Sequence, residues 1–321
     1  MTSTRFDLTT FGETMLRMSV PVGQRLEKAR RFDVVPGGTE SNVCAALAGL
    51  GRQAGWISRL PDGPIGRFII RGLVEAGIDT SAVVTTARAR VGTYFVEFAV
   101  PPSSNEVIYD RDNSGVTQLS SQEVDWDYLL DTRVLHLTGI TPALSEGLSE
   151  LVEEAMRRAR ARGIVVSFDV NYRSKLWYPE EAKKRLETLF PLVDILVCGQ
   201  EDASNVFGLT GEPIEMLNRL AGLTEASNVV LTRSNEGAIG LLNGDVLEIP
   251  SVPTVMIDRL GAGDGFMAGL IDGFLDNDME AGMQRGVALA ALVLNQHGDM
   301  VTVTRADLER VMANASGGIL R

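Results

Sequence analysis

The feature that most constrains this chain is a rhythm in which short apolar runs alternate with longer stretches of helical period. The runs VLHLTGI (134–140), IVVSFDV (164–170), DILVCG (194–199) and NVVLTR (228–233) have the length and content of buried strands. An amphipathic helix through LSELVEEAMRRARARG separates the first two, and the helical EEAKKRLETLF lies between the next two. Strand, helix, strand at this spacing implies right-handed crossovers, and hence a mostly parallel sheet covered by helices. From Gly261 the chain reads helix upon helix, and VALAALVLNQ is apolar nearly all round, so it is buried. Two stretches interrupt the rhythm. MLRMSVPVGQRLEKARRFDVVPGG and VGTYFVEFAVPPSSNEVIYDRD alternate like strands, carry Pro and Gly punctuation, and have no helices between their runs. They are expected to form a small sheet, from about residues 12–36 and 90–112, projecting from one domain that spans 1–321. No repeat or linker divides the chain.

Bulk properties narrow the function classes. A chain of 321 residues, 45% hydrophobic, can bury a substantial core. Its net charge of −12 argues against a nucleic-acid or anionic-membrane partner, since both need basic patches. An anionic small substrate then requires local arginines. Cys44 and Cys198 sit far apart in apolar runs and are expected to be buried thiols. No signal pattern opens the sequence, and no apolar run nears the ~20 residues of a membrane span. These features predict a cytoplasmic protein.

The stretch DRLGAGDGFMAGL (258–270) sets three small residues and a carboxylate where an apolar helix, 262–276, begins. Four readings compete. Asp264 can simply complement the helix dipole, which is the usual role of an isolated first-turn acid. A triphosphate loop lacks its Lys-Ser/Thr pair here, and a dinucleotide fingerprint would need a following strand and acid. The fourth reading is an anion cradle with its own base. Glycine at 261 and 263 lets backbone N–H groups approach a ligand at a helix N-terminus, with Asp264 beside it to accept a proton. The dipole is expected to hold the Asp264 pKa low.

DRLGAGDGFMAGL resembles the C-terminal signature of the PfkB, or ribokinase-like, carbohydrate kinases, and GGTESNVCAALAGLG (37–51) resembles their N-terminal one. The two occur in the family's order and separation, and the strand rhythm between them matches as well. The resemblance implies a Rossmann-like α/β domain of three layers, with a mostly parallel sheet and a small β lid. It implies transfer of the γ-phosphate of ATP, with Mg²⁺, to a sugar hydroxyl, and a monovalent cation is a further candidate cofactor. Positioning, charge neutralisation and water exclusion would supply the rate. In this likeness Gly261, Ala262 and Gly263 form the anion hole and Asp264 is the base. Gly37 and Gly38 border the sugar, with Asn42 beside them. Thr232, Gly237, Gly263 and Asn295 are candidates for the nucleotide. A homodimer through the lid is a candidate assembly.

The likeness has departures. Arg259 stands where the family usually has Thr, and it can approach a phosphate or face solvent. GQED (199–202) aligns with a metal-organising Asn-x-x-Glu, which leaves Asp202 as a candidate near the metal. In TRSNEG (232–237) Ser234 replaces a Gly. For the substrate, DVNYR (169–173) follows a strand and so reaches the sheet's C-terminal edge, where α/β sites lie. With GTYF (92–95) and VIYDRDNSG (107–115) it is similar to the substrate motifs of family members acting on 2-keto-3-deoxygluconate. That similarity assigns Tyr94, Tyr109, Arg111, Asp169 and Arg173 to a sugar acid, whose carboxylate suits guanidinium forks. The alternative is that each arginine pairs with a local acid, as Asp110, Asp112 and Asp169 permit. Rival functions are a fructokinase, ribokinase or nucleoside kinase of the same family, or a non-catalytic sugar- or nucleotide-binding regulator. His136, inside an apolar strand, is expected to be a hydrogen-bonded core residue.

Overall fold

The computed structural model describes residues 4–99 and 103–315, so residues 100–102 of the expected lid segment lie outside it. Among the described residues the fourteen strands are β1 (Phe6–Phe11), β2 (Met15–Ser19), β3 (Asp33–Gly37), β4 (Ala54–Ile57), β5 (Arg59–Pro61), β6 (Val84–Thr86), β7 (Thr93–Glu97), β8 (Glu106–Asp110), β9 (Thr132–Thr138), β10 (Val165–Asp169), β11 (Ile195–Gly199), β12 (Asn228–Thr232), β13 (Ala238–Leu242) and β14 (Asp245–Ile249). The main helices are α1 (Thr39–Gly49), α2 (Pro64–Glu75), α3 (Trp126–Leu129), α4 (Ile140–Leu144), α5 (Glu146–Ala161), α6 (Pro179–Leu189), α7 (Gln200–Phe207), α8 (Pro213–Ala221), α9 (Ala262–Leu275), α10 (Met279–Leu294) and α11 (Arg305–Ala315).

Eight strands form one sheet in the order β14-β13-β12-β11-β10-β9-β1-β4, parallel from β12 to β4. Side chains alternate across it with period two. Leu196 and Cys198 of β11 join one buried cluster with α5, α6, α7 and α8, while Ile195 and Val197 join another with α1, α2, α9 and α10. Three layers result, and near-continuous apolar strands are what burial on both faces demands. Both cysteines are buried and free, and His136 is buried with Nδ1 3.2 Å from Ser167 Oγ. Helices α9 and α10 approach closely because glycines face each other. A Cβ on Gly273 would lie 2.2 Å from Gly282 Cα.

The interrupting stretches build a second sheet, β3-β2-β7-β8, with β2 and β7 parallel and Tyr94 paired to Tyr109 across β7 and β8. Beyond β12 the main sheet turns antiparallel through β13 and β14. Its hairpin turn is Asn243-Gly244, both at positive φ, the pairing that a two-residue turn favours. Among the described residues no helix is long and apolar enough to cross a membrane.

Candidate active site

The C-terminal ends of β10, β11 and β12, the start of α9 and lid strand β8 enclose a cleft of about 1230 Å³. Asp169, Gly199 and Thr232 close those three strands, so parallel register brings them to one edge. The Arg259–Asp264 segment forms the opposite wall. Gly261 caps α9 at φ +86°, a left-handed conformation that favours glycine, and a Cβ there would meet the Asp299 carbonyl oxygen at 2.4 Å. At Gly263 a Cβ would meet nothing within 4 Å, so this backbone faces open space. Its exposed N–H groups at a helix N-terminus suit an anion.

Asp264 is buried in the first turn of α9. Thr39 Oγ1 donates to its Oδ1 at 2.5 Å and Asn42 Nδ2 to its Oδ2 at 2.7 Å. Burial pushes its pKa up to about 6, against the pull of those two donors; Asp299 adds to the rise and Arg173 opposes it. The expectation of a low pKa is therefore corrected, because loss of water outweighs the dipole and the hydrogen bonds. Asp169 is pushed to about 8, first by burial and then by Asp264 and Asp202. Glu40 accepts from Thr138 and Thr141 at 2.8 and 2.6 Å, and burial raises it to about 7. Asp202, in the first turn of α7, accepts from the Tyr172 N–H at 3.1 Å and is raised by burial.

Of the expected substrate residues, Tyr109, Arg111, Asp169 and Arg173 line the cleft. The Arg173 side chain is exposed and forms no hydrogen bond or ion pair with another described residue. Arg111 behaves differently. Its side chain, 10% exposed, pairs with Glu13, itself 4% exposed. The local-acid reading thus holds for Arg111, with a partner 98 residues away rather than Asp110 or Asp112. Tyr94 is a correction too. It is buried behind Tyr109, ring centroids 5.6 Å apart, and its hydroxyl donates to Asp299 Oδ2 at 2.6 Å, so it is no part of the cleft wall. Asn42 faces Asp264 on one side and accepts from the Gly38 N–H on the other, and so orients the base instead of lining the sugar space. A Cβ on Gly37 would strike the Tyr94 hydroxyl at 2.2 Å, and one on Gly38 the Glu13 carbonyl oxygen at 2.0 Å. These glycines permit close packing behind the cleft.

The expected nucleotide residues are dispersed. Thr232 lines the main cleft, while Asn295 lines a second hollow of about 340 Å³ with Val252, Pro253 and Thr254. Gly237, at φ +93°, serves a turn where a Cβ would meet the Ile249 carbonyl oxygen at 2.1 Å. Sequence reasoning passed over several residues. Thr39 and Asn171 lie inside quoted motifs, but polar residues at helix starts and strand ends read as caps and turns. Arg17, on lid strand β2, is 1% exposed and pairs with Asp258 (0%) and Asp299 (12%) on either side of the cradle. No local pattern reveals a pairing across more than 200 residues.

Comparisons with known proteins extend along the whole fold. The family described as pfkB family carbohydrate kinase matches residues 5–305. The 2-dehydro-3-deoxygalactonokinase of Haloferax volcanii is 39% identical over 316 residues, covering 98% of this chain and 99% of that protein. The 2-dehydro-3-deoxygluconokinase of Bacillus subtilis is 33% identical over 303 residues, covering 92% of each. The crystal structure of the 2-dehydro-3-deoxygluconokinase of Thermotoga maritima superposes with a TM-score of 0.87 at 30% identity, over 96% of this chain and 98% of that one.

Proposed function

We propose, from the premise that this chain belongs to the pfkB family of carbohydrate kinases, that its substrate is a 2-keto-3-deoxy sugar acid. Membership makes it a phosphotransferase acting on a sugar hydroxyl. One observation carries the choice of acid. Arg173, a guanidinium without a described partner, stands in the same cleft as buried Asp264. A fork of that kind matches a carboxylate in bidentate fashion, whereas a neutral sugar gives it nothing to neutralise. Two of the relatives named above support the class, since their names place their substrates among 2-dehydro-3-deoxy acids.

The acid's carboxylate lies at Arg173, with Tyr109 and the Arg111–Glu13 pair closing the lid side. A hydroxyl of the sugar then faces Asp264, held at both oxygens by Thr39 and Asn42. Asp264, ionised above its pKa of about 6, accepts the hydroxyl proton as the oxygen attacks the γ-phosphorus of ATP, whose bond to the bridging oxygen breaks so that ADP leaves. Backbone N–H groups of Gly261, Ala262 and Gly263 receive the transferring phosphoryl group. ATP is the proposed donor. Among the described residues no cluster of three or more His, Cys, Asp or Glu could hold a metal alone. A Mg²⁺ that arrives on phosphates needs only one or two carboxylates and water, and Asp202 in the cleft fits that need. When bound, the ion neutralises phosphate charge.

The test is a coupled ADP assay with ATP and Mg²⁺ over 2-keto-3-deoxygluconate, 2-keto-3-deoxygalactonate, fructose and ribose. At least one acid is expected to exceed both neutral sugars in kcat/KM by one to two decades or more, the scale of a charge-assisted hydrogen bond. A preference for fructose or ribose rejects the assignment.

A further inference from the structure

Asp264 does not stand alone at the helix start: a chain of hydrogen bonds runs from it back to the end of β10. Asn171 Nδ2 donates both to Asp169 Oδ2, at 3.2 Å, and to Thr39 Oγ1, at 3.1 Å. Thr39 Oγ1 in turn donates to Asp264 Oδ1 at 2.5 Å. The directions are forced. An ionised Asp264 can only accept, so the Thr39 hydroxyl donates to it and must itself accept from Asn171, which fixes the amide with its nitrogen toward Thr39 and its other N–H toward Asp169. The first of these N–H groups fills a lone pair on the Thr39 hydroxyl. That hydroxyl has one proton, and the remaining acceptor within reach is Asp264. Asn171 is also buried at φ +39°, a left-handed conformation that costs a non-glycine residue free energy and persists only where its surroundings hold it.

We propose that Thr39 is a positioning residue for phosphoryl transfer, its hydroxyl locked by Asn171 so that its proton always points at Asp264 and favours the ionised base. The inference rests on the reading of Asp264 as the base. A free threonine hydroxyl spends part of its time rotated away from a neighbouring carboxylate; one whose lone pair is already filled does not. Removing the donor raises the proton affinity of Asp264, and the base is lost to protonation at a higher pH. Four ionisable groups bear on Asp264. Asp299 raises its pKa and Arg173 lowers it, while Glu40 on α1 and Asp169 on β10 are each themselves raised by the Asp264 charge. Loss of Asn171 also strips Asp169 of a donor, which makes Asp169 more neutral and would lower the Asp264 pKa. An upward shift in an Asn171 variant therefore cannot come through Asp169.

The experiment is the pH dependence of kcat between pH 5 and 9 for the full chain and for Thr39→Val, Thr39→Ser, Asn171→Ala and Thr39→Val/Asn171→Ala, with melting temperatures alongside. The acid limb should move up by about one to two pH units in Thr39→Val. Thr39→Ser should return it to within about 0.3 unit of the parent, since its hydroxyl keeps the same bond. Asn171→Ala should move it in the same direction by less, and the double variant should move it no further than Thr39→Val alone, because the upward effect of losing Asn171 acts through Thr39. An acid limb unmoved in Thr39→Val, or shifts that add in the double variant, overturns the proposal. Should Thr39→Val not fold, the limb of Asn171→Ala decides by itself. Asp264→Asn, assayed in parallel, keeps the two readings apart. If it retains turnover, the base assignment fails; if it is inactive while the limb of Thr39→Val stays in place, only the role of Thr39 fails.

Discussion

Replacing Arg17 by methionine should show how much of this fold hangs on one buried charge. The side chain is 1% exposed and neutralises Asp258 and Asp299, which are 0% and 12% exposed. Methionine keeps most of the volume and leaves two carboxylates facing an apolar thioether. Removing one partner from a buried ion pair costs about 3–5 kcal/mol, chiefly because the other charge stays behind. The carboxylates retain some support. Asp258 still accepts from the Leu260 and Gly298 N–H groups at 3.1 and 3.2 Å, and Asp299 from the Tyr94 hydroxyl at 2.6 Å. The lower end, about 3 kcal/mol, is therefore expected. With an unfolding entropy of about 2.1 cal/mol/K per residue over 321 residues, roughly 0.7 kcal/mol/K, the melting temperature should fall by about 4–5 °C. The sign with pH follows from the acids. Burial already raises Asp299 above an ordinary carboxyl, and loss of Arg17 raises it further. The folded variant thus takes up a proton as pH falls, and its deficit against the parent should be largest near pH 8 and shrink toward pH 5. Calorimetry at these two pH values measures both effects, and Arg17→Met/Asp258→Asn should recover part of the loss. A fall below about 1 °C, or a deficit that grows toward pH 5, would refute the reasoning.

Three further outcomes are expected. Asp264→Asn should lower kcat by about 10²–10⁴-fold or more while ATP affinity stays near that of the parent, since general base assistance is worth at least that range; a loss of melting temperature with little kinetic change would mark Asp264 as a helix-dipole residue only. Gly263→Ala adds a Cβ that meets no atom within 4 Å, so it should fold normally yet raise the KM for ATP or lower kcat, and unchanged steady-state kinetics would move the anion away from this backbone. Arg173→Ala should lose one to two decades of kcat/KM for the sugar acid with little change in stability, whereas Arg111→Ala strands Glu13 and should show first as a lowered melting temperature; equal kinetic losses on a neutral analogue would assign Arg173 to the phosphates or the fold.

Fold and site were legible in the sequence to different depths, for physical reasons. Strands β9 to β12 were visible because burial on both faces leaves uninterrupted apolar runs, and α9 because its glycine-rich start breaks a helical period. The Asn243-Gly244 hairpin carried a local signal that the parallel rhythm obscured, since five apolar residues in β13 read equally as strand or helix. At the site, motif residues were recognisable by type but not by the direction in which they face. Tyr94 and Tyr109 sit opposite one another on adjacent strands, and only the stacking of the second over the first decides which borders the cleft. Arg111 had two adjacent acids in sequence and chose Glu13, because a bend between β1 and β2 delivers that carboxylate to the end of β8. Pairings of this kind depend on how two sheets dock, which residue spacing does not encode.

The charge of the cleft explains how an acidic protein can receive an anion. A count of side chains suggests strong repulsion, because Asp169, Asp202, Asp264 and Asp299 gather near one edge of the sheet in a chain of net charge −12. Burial changes that count. At pH 7, Asp169, with a pKa of about 8, holds its proton, and Glu40, at about 7, is half neutral. Asp299 is balanced by Arg17, and Glu13 by Arg111. What then remains without a partner arginine is Asp264, ionised as the proposed base requires, and Asp202, left for the metal, facing Arg173 and Arg259 on the cleft wall. Of the remaining acids, the buried Asp258, Asp272 and Glu97 are paired with arginines, and most of the others are on the solvent-facing surface, where salt screens them beyond about 8 Å. Desolvation that would be a burden to a surface acid therefore serves this site. It keeps most of the carboxyls neutral or paired while leaving one of them free enough to be a base.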